Sequence, residues 1–202
     1  VSAQRPYAAL LAKGEDRRQR ILAVAQRLLT RHGSRGTTLG RIAREAGVTP
    51  AGLLHHFESK EKLLHAVLDA RDSYDAENTD AFGDVVTELR KYAERLQHNP
   101  ELIGMYVVLL AESLAPGAPL HDRFLDRYRF SLHVVAGSIR RGQRDGRYRT
   151  DLDPAVKAVE IMAFLNGIET SWLLDPSIPL AEACREYTDS LARRLAAPSG
   201  AR

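Results

Sequence analysis

Cysteine is almost absent from this chain: Cys184 is alone in 202 residues, so no internal disulfide can form. It falls at an apolar position of a helical repeat, where a buried thiol with no redox role is expected. No run of about 18 apolar residues is present, which excludes a membrane-spanning helix. No charged-then-apolar leader ending in small residues is visible either, so the cytoplasm is the expected compartment. HExxH and CxxC patterns, a GxSxG turn and a phosphate-cradling glycine loop are all missing, and neither a metal nor a cofactor is expected. Among seven histidines, His55 and His56 are neighbours, but adjacent helical residues point about 100° apart and do not share a ligand. His56 reads as packed or capping and His55 as a surface or DNA-facing residue. Asp151 and Asp153 read as a loop residue and a helix cap. No segment alternates apolar and polar residues in the manner of a strand, so the fold class is all-α.

What is there begins with 44% hydrophobic residues, enough for a core in one domain or two small ones. The net charge of +3 hides an asymmetry. Residues 1–65 hold 12 Lys and Arg against 5 Asp and Glu, and the remainder holds 17 against 21. A basic front and an acidic back suggest that the front meets a polyanion; a merely soluble basic face is the alternative.

Helical punctuation is legible along the chain. A first helix is expected from near Glu15 to Gly33, with Ile21, Leu22, Ala25, Leu28 and Leu29 on one stripe. Thr38 can cap a short helix to about Ala46, and Thr49 followed by Pro50 opens another to about His56. Ser59 can cap a longer helix that buries Leu63, Leu64, Val67 and Leu68. Asn99-Pro100 and Asp153-Pro154 repeat the cap-then-proline start. Between them, Phe124 to Ile139 follow a long helical spacing that ends near Gly142 and Gly146. Leu180, Cys184, Tyr187, Leu191 and Leu195 recur at nearly heptad spacing.

The stretch GVTPAGLLHHFESKEKLL from Gly47 joins the two short helices into a helix-turn-helix. Gly47 suits the positive φ of the tight turn, and Ala43 and Ala46 let the helices approach. The second helix exposes Ala51 and Gly52, so its backbone can come near base edges, while Thr49 and the helix N-terminus favour phosphate. Leu53 and Phe57 face inward. Lys60 lies in the first turn of the next helix, where charge and dipole can act on one phosphate. His55, and Arg41 or Arg44 from the preceding helix, are the side chains left for direct readout. Arg5, Lys13, Arg17 and Arg18 form a basic leader that can add phosphate or minor-groove contacts or remain an unstructured arm.

The longer run TTLGRIAREAGVTPAGLLHHFESKEKLL resembles the DNA-binding signature of the TetR family of bacterial transcriptional regulators. The resemblance covers roughly the first third of the chain. It implies that Thr38, Leu54 and Lys60 occupy positions that meet phosphates, and that Pro50, Ala51, Gly52 and His55 lie where bases are read. Leu54 departs from the pattern, which most often has tyrosine there, so apolar contact or packing replaces the phenol-to-phosphate hydrogen bond. The resemblance further implies two domains: a three-helix DNA-binding head at 1–65, and a helical effector-binding and dimerisation body at 66–202. The chain would then be a homodimer on a palindromic double-stranded operator, most often a repressor, released or engaged by a small-molecule effector.

In the back part, AFLNGIETSWLLDP is apolar yet interrupted by Asn166, Glu169 and Thr170. Either these residues orient a ligand in a pocket, or they face solvent or a dimer partner. Met105, Tyr106, Phe124, Tyr128 and Trp172 are candidates for the same pocket, with plain core packing as the alternative. Ala163 and Gly167 permit a close helix crossing, and with Cys184, Tyr187 and Leu191 they are candidates for an intersubunit four-helix bundle. The Leu180–Leu195 seam can instead pack within one subunit. Two other functions compete: a small all-α enzyme, for which no catalytic constellation assembles, and a protein-interaction module that uses the helix-turn-helix as scaffold.

Overall fold

The computed structural model describes residues 4–96 and 100–198. Among them the chain forms nine helices: α1 Gln4–His32, α2 Leu39–Ala46, α3 Pro50–Phe57, α4 Lys60–Asn78, α5 Val85–Leu96, α6 Pro100–Glu112, α7 His121–Arg144, α8 Pro154–Leu174 and α9 Leu180–Leu195. The only extended pairing among the described residues is an isolated bridge between Tyr148 and Ala196. The chain is all-α.

Local chemistry sets most of the boundaries. Thr38, Thr49, Ser59 and Asp153 each accept a hydrogen bond from a backbone amide of the helix they open, which satisfies one of the orphan donors of a first turn. Gly47 ends α2 at φ 67°, ψ 36°, and its amide bonds back to the carbonyls of Ala43 and Arg44. α1 corrects one expectation, because it starts at Gln4 and not near Glu15. The added turns are rich in alanine and leucine. Pro6 sits in the first turn, where its missing N–H costs no hydrogen bond, and Gly14 is tolerated inside the helix. The side chains of Arg5 and Lys13, and Asn99 ahead of α6, lie outside the described residues. α5 follows no cap-then-proline pair; the Asp84 carboxylate caps it, accepting from the amides of Val86 and Thr87 at 3.1 Å.

Three apolar clusters hold the helices. The first contains Ile21 to Leu29 of α1, Ile42, Leu53 and Phe57, then Leu63 to Leu68 of α4, and continues into Met105, Leu109, Leu120 and Phe124. It therefore crosses residue 65 without a break. α1 also lies along α6: the Thr30 hydroxyl donates to the Glu101 carbonyl at 2.8 Å, and the Ser34 amide donates to Glu112 at 2.9 Å. The second cluster joins α5, α7, α8 and α9 through Val85, Leu89, Ile139, Ile161, Leu191 and Leu195. The third packs Leu96 and Ile103 on Leu180 and Cys184.

The seam on α9 packs largely within the chain. Cys184 and Leu191, proposed for a subunit interface, are 2% and 0% exposed within a single chain. Leu191 belongs to the cluster with Val85 and Leu89 of α5, Ile139 of α7 and Ile161 of α8, and Cys184 to the cluster with Leu96 of α5 and Ile103 of α6. Tyr187 stacks on Phe164 with ring centroids 3.7 Å apart. Ala163 and Gly167 lie on the opposite, exposed face of α8.

Candidate functional site

Two regions collect the residues singled out above. The first is the exposed face of α2 and α3. Leu53 and Phe57 are buried, which turns Pro50, Ala51, Leu54 and His55 outward. Gly52 lies between these two sets, its amide donating to the Thr49 hydroxyl at 3.0 Å. Thr38 likewise accepts from the Arg41 amide at 3.2 Å. Capping uses an acceptor position of each hydroxyl, so the O–H of Thr38 and of Thr49 stays free to donate to a phosphate oxygen. Leu54 is 41% exposed, an apolar side chain on an otherwise polar or small-residue face.

The cations of this face are in unlike states. Arg44 is exposed, and no ion pair is found for it among the described residues. Arg41 is held by Glu45 at 3.3 Å and by the His32 ring at 2.8 Å. Glu45 is also paired with Arg27, and chiefly that hydrogen bond holds its carboxyl below the usual range. The Lys60 ammonium donates to the Ser34 carbonyl in the α1–α2 connection, so it ties the start of α4 to the loop that precedes α2. His56 is half-buried beside Phe57. Burial above all, then the neighbouring His55, Arg17 and Arg18, lower its pKa, which favours neutral packing over a charged contact.

α3 meets α4 through an unusual residue. Glu58 has φ 61°, ψ −45°, and is the only non-glycine residue with positive φ among those described. The Ser59 amide donates across it to the Phe57 carbonyl at 2.6 Å, which is the hydrogen bond of a γ-turn. α3 is thereby set against α4 by a strained three-residue link.

The second region is a cavity of about 310 Å³ between α4, α5, α7 and α8. Tyr106 and Asn166 line it, as does Glu169. Three of the other candidates lie behind its wall: Met105 is fully buried in the first cluster, Phe124 packs its ring edge-on against Tyr106 at 5.2 Å, and Trp172 belongs to the third cluster. Tyr128 is half-buried on α7 and does not reach the lining. Thr170 is exposed and bonds to the Asn166 carbonyl at 2.7 Å. Single-residue chemistry misses Arg71, Tyr92 and Arg127 on the wall. The detectable sign was an arginine at an α4 position that helical periodicity places inside.

A chain of alternating charge starts on the cavity wall, at Glu169, Arg71, Asp75 and Arg127, and runs outward beyond it. Glu169 is 3% exposed and accepts a hydrogen bond from the Tyr92 hydroxyl. Arg71, 7% exposed, lies over the Tyr106 ring at 3.4 Å and is 3.9 Å from Asp75. Arg127 bridges Asp75 at 2.7 Å and Asp72 at 3.2 Å; Arg123 bridges Asp72 and, at 2.8 Å, Asp69. The run passes from α8 to α4 and α7. Burial raises the Glu169 pKa, against the opposing pull of Arg71 and the Tyr92 hydrogen bond. Burial and the Glu169 charge raise that of Tyr92 well above a free phenol. Among the described residues, no group of three or more His, Cys, Asp or Glu is arranged to hold a metal ion, and no helix is long and apolar enough to cross a membrane.

Comparison with known proteins joins the two regions to one architecture. Residues 21–67 match the tetR family of bacterial regulatory proteins, and residues 84–197 match the C-terminal part of BetI-type transcriptional repressors. The HTH-type transcriptional regulator TtgR of Pseudomonas putida is 27% identical over 201 residues, covering 88% of this chain and 90% of that protein. The HTH-type transcriptional regulator AcrR of Shigella flexneri is 24% identical over 198 residues, covering 87% of each. In fold, the chain is similar to SmeT in its triclosan complex, with TM-score 0.79 at 19% identity over 91% of this chain and 93% of that one. It is also similar to NalD of Pseudomonas aeruginosa, with TM-score 0.74 at 19% identity over 93% and 100%. With a helix-turn-helix at its front and a matching helical body behind, the chain belongs to the TetR family of bacterial transcriptional regulators and is not an enzyme.

Proposed function

We propose that this regulator binds a palindromic operator as a homodimer, with α3 of each subunit in successive major grooves, and that a small molecule in the α4–α8 cavity releases it. The observation that carries the reading is the outward face of α3. Pro50, Ala51, Gly52 and His55 present little side-chain bulk to a groove, with Arg44 beside them for direct readout and Thr38, Thr49 and Lys60 flanking as phosphate contacts. Arg41 takes a base-reading role only after leaving Glu45, and Leu54 contributes apolar contact to a thymine methyl or sugar. Residues 1–65 act as the reader and residues 66–202 as the effector and dimer body. A regulator of this kind works in the cytoplasm, where the operator is.

The dimer contact falls on α8. Val156, Val159, Ala163, Gly167 and Leu174 make an exposed apolar stripe at helical spacing, with Val156, Val159 and Leu174 at 60%, 48% and 87% exposure. Small residues in its middle let a second copy cross closely. Two-fold symmetry then requires half-sites about 34 Å apart or a multiple of that distance. The small-molecule effector is supported by the cavity and by the triclosan-bound SmeT relative in fold. Binding to its own upstream intergenic DNA across a salt series, with a scrambled duplex alongside, tests the reading. A specific complex at two chains per site, released by a cavity ligand, is expected. Equal binding to both duplexes, or none at low salt, refutes it.

A further inference from the structure

The outward face of α7 carries charges that find no partner within the chain. Asp122 and Asp126 lie in its first two turns, Arg129 and His133 near its middle, and Arg140 and Arg144 in its last two turns, all exposed. No ion pair or side-chain hydrogen bond is found for any of these six among the described residues. The half-buried cations of the same helix are engaged: Arg123 and Arg127 with aspartates of α4, and Arg141 with the Ala81 carbonyl at 3.0 Å. With Gly137 between His133 and Arg140, the outward residues follow one another at steps of three or four and so form one stripe. The like charges at either end, Asp122 with Asp126 and Arg140 with Arg144, are four residues apart and repel each other. The helix dipole offsets this for Asp122 and Arg144 in the terminal turns but does not reach Asp126 or Arg140.

We propose that a second copy of this chain lays its own α7 antiparallel on this face, with the two-fold axis at His133, so that Asp122 meets the partner's Arg144 and Asp126 the partner's Arg140. Resting on the homodimer reading above, the contact gives that dimer its register. Asp122 and Arg144 lie eleven residues either side of His133, and Asp126 and Arg140 seven either side, so one axis brings both pairs into line. The same axis sets Arg129 opposite the partner's Gly137. A Cβ at Gly137 would meet only the Arg141 side chain within 4 Å, at 3.5 Å, so packing within one subunit does not call for a glycine inside this helix, where it lowers stability. A long side chain crossing from the partner does. The axis also suits the apolar stripe of α8. Gln143 donates to the Leu152 carbonyl at 2.9 Å where the chain turns back from α7 into α8, and ten residues of either helix from there rise about 15 Å. His133 is thus about level with Ala163, at the small-residue centre of that stripe. Ile139 of α7 and Ile161 of α8 face the core together, which leaves both bare faces on the outer side.

Charge exchange tests the register, because residues 126 and 140 of one helix are about 21 Å apart and cannot touch within a chain. Sedimentation of the fluorescently labelled full-length protein at low salt gives the dimer dissociation constant. Asp126→Arg and Arg140→Asp should each raise it about tenfold or more, since each sets two like-charge pairs across the axis. Both changes in one chain recreate opposite pairs and should bring the constant back to within about threefold of the parent. A double variant no tighter than the single ones, or single variants that dimerise as the parent does, overturns the α7 register while the homodimer stands. A parent that stays monomeric at every concentration overturns both. Should circular dichroism show a single variant unfolded, Asp122→Arg and Arg144→Asp, alone and together, decide the same question.

Discussion

Alanine at Gly33 and at Gly47 makes a matched pair of perturbations. Both glycines have left-handed φ, 64° and 67°. A Cβ at Gly47 meets nothing within 4 Å, whereas at Gly33 it comes within 2.4 Å of the Glu112 Oε1. Gly47→Ala should therefore cost only the conformational penalty of a side chain in that region, about 1 kcal/mol. Gly33→Ala carries the same penalty and a second one. Glu112 is flexible and can swing away, but its other oxygen holds the Ser34 amide at 2.9 Å. Losing a hydrogen bond to a charged acceptor adds about 1.5–3 kcal/mol. Urea unfolding should place Gly33→Ala at roughly 2.5–4 kcal/mol below the parent and Gly47→Ala near 1. In a Glu112→Ala background the second cost is already spent, so Gly33→Ala should there fall to about 1 kcal/mol. Equal losses for the two glycine variants in the parent would refute the role given to Glu112 in fastening α1 to α6.

Other perturbations follow the same logic. Lys60→Ala should weaken binding to specific and scrambled duplexes alike and reduce the salt slope by about 1 in a fluorescence-anisotropy salt series; an unchanged slope removes Lys60 from the phosphate contacts. Glu58→Gly relieves the positive φ and should stabilise the protein by about 1 kcal/mol in urea unfolding, and a loss of stability would mean the γ-turn is not strained. Asp84 is subject to burial, which raises its pKa, but hydrogen bonds from Tyr148, the Thr87 amide and Arg147 outweigh it and leave the net value lowered. A depressed folded pKa gives stability that is present above the ordinary carboxylate range and lost as pH falls through the folded value. Thermal melts from pH 7 down to pH 2 should therefore show a shallower acid loss for Asp84→Asn than for the parent, and parallel curves would refute the contribution.

The reader was legible in the sequence because its signals are local. Thr38, Gly47, Thr49-Pro50 and Ser59 act within one turn of themselves, and each sits where its capping chemistry requires. The cavity was half legible: Asn166 and Glu169 broke an apolar helix and do line it, while Met105, Phe124 and Trp172 share the periodicity of lining residues and serve as core. Whether an aromatic residue faces a void or a neighbour depends on helices distant in sequence, such as α5 against α9. The same reason hid the fate of the Leu180–Leu195 seam, since an apolar ridge fits an intrachain helix as well as a second subunit. Arg71 left one trace, an arginine at an inward-facing α4 position, but only the meeting of α4, α7 and α8 gives its charge a context.

The first apolar cluster has a thermodynamic consequence. Because it runs from Ile21 and Leu53 through Leu68 into Met105 and Leu109, a piece ending at residue 65 would lose part of its own interior. Reader and body should then melt as one cooperative unit, giving a single calorimetric transition in spite of their separate tasks. Evolution can exchange the few side chains on the α3 face without touching that interior, but it cannot detach the reader and graft it elsewhere without rebuilding α6.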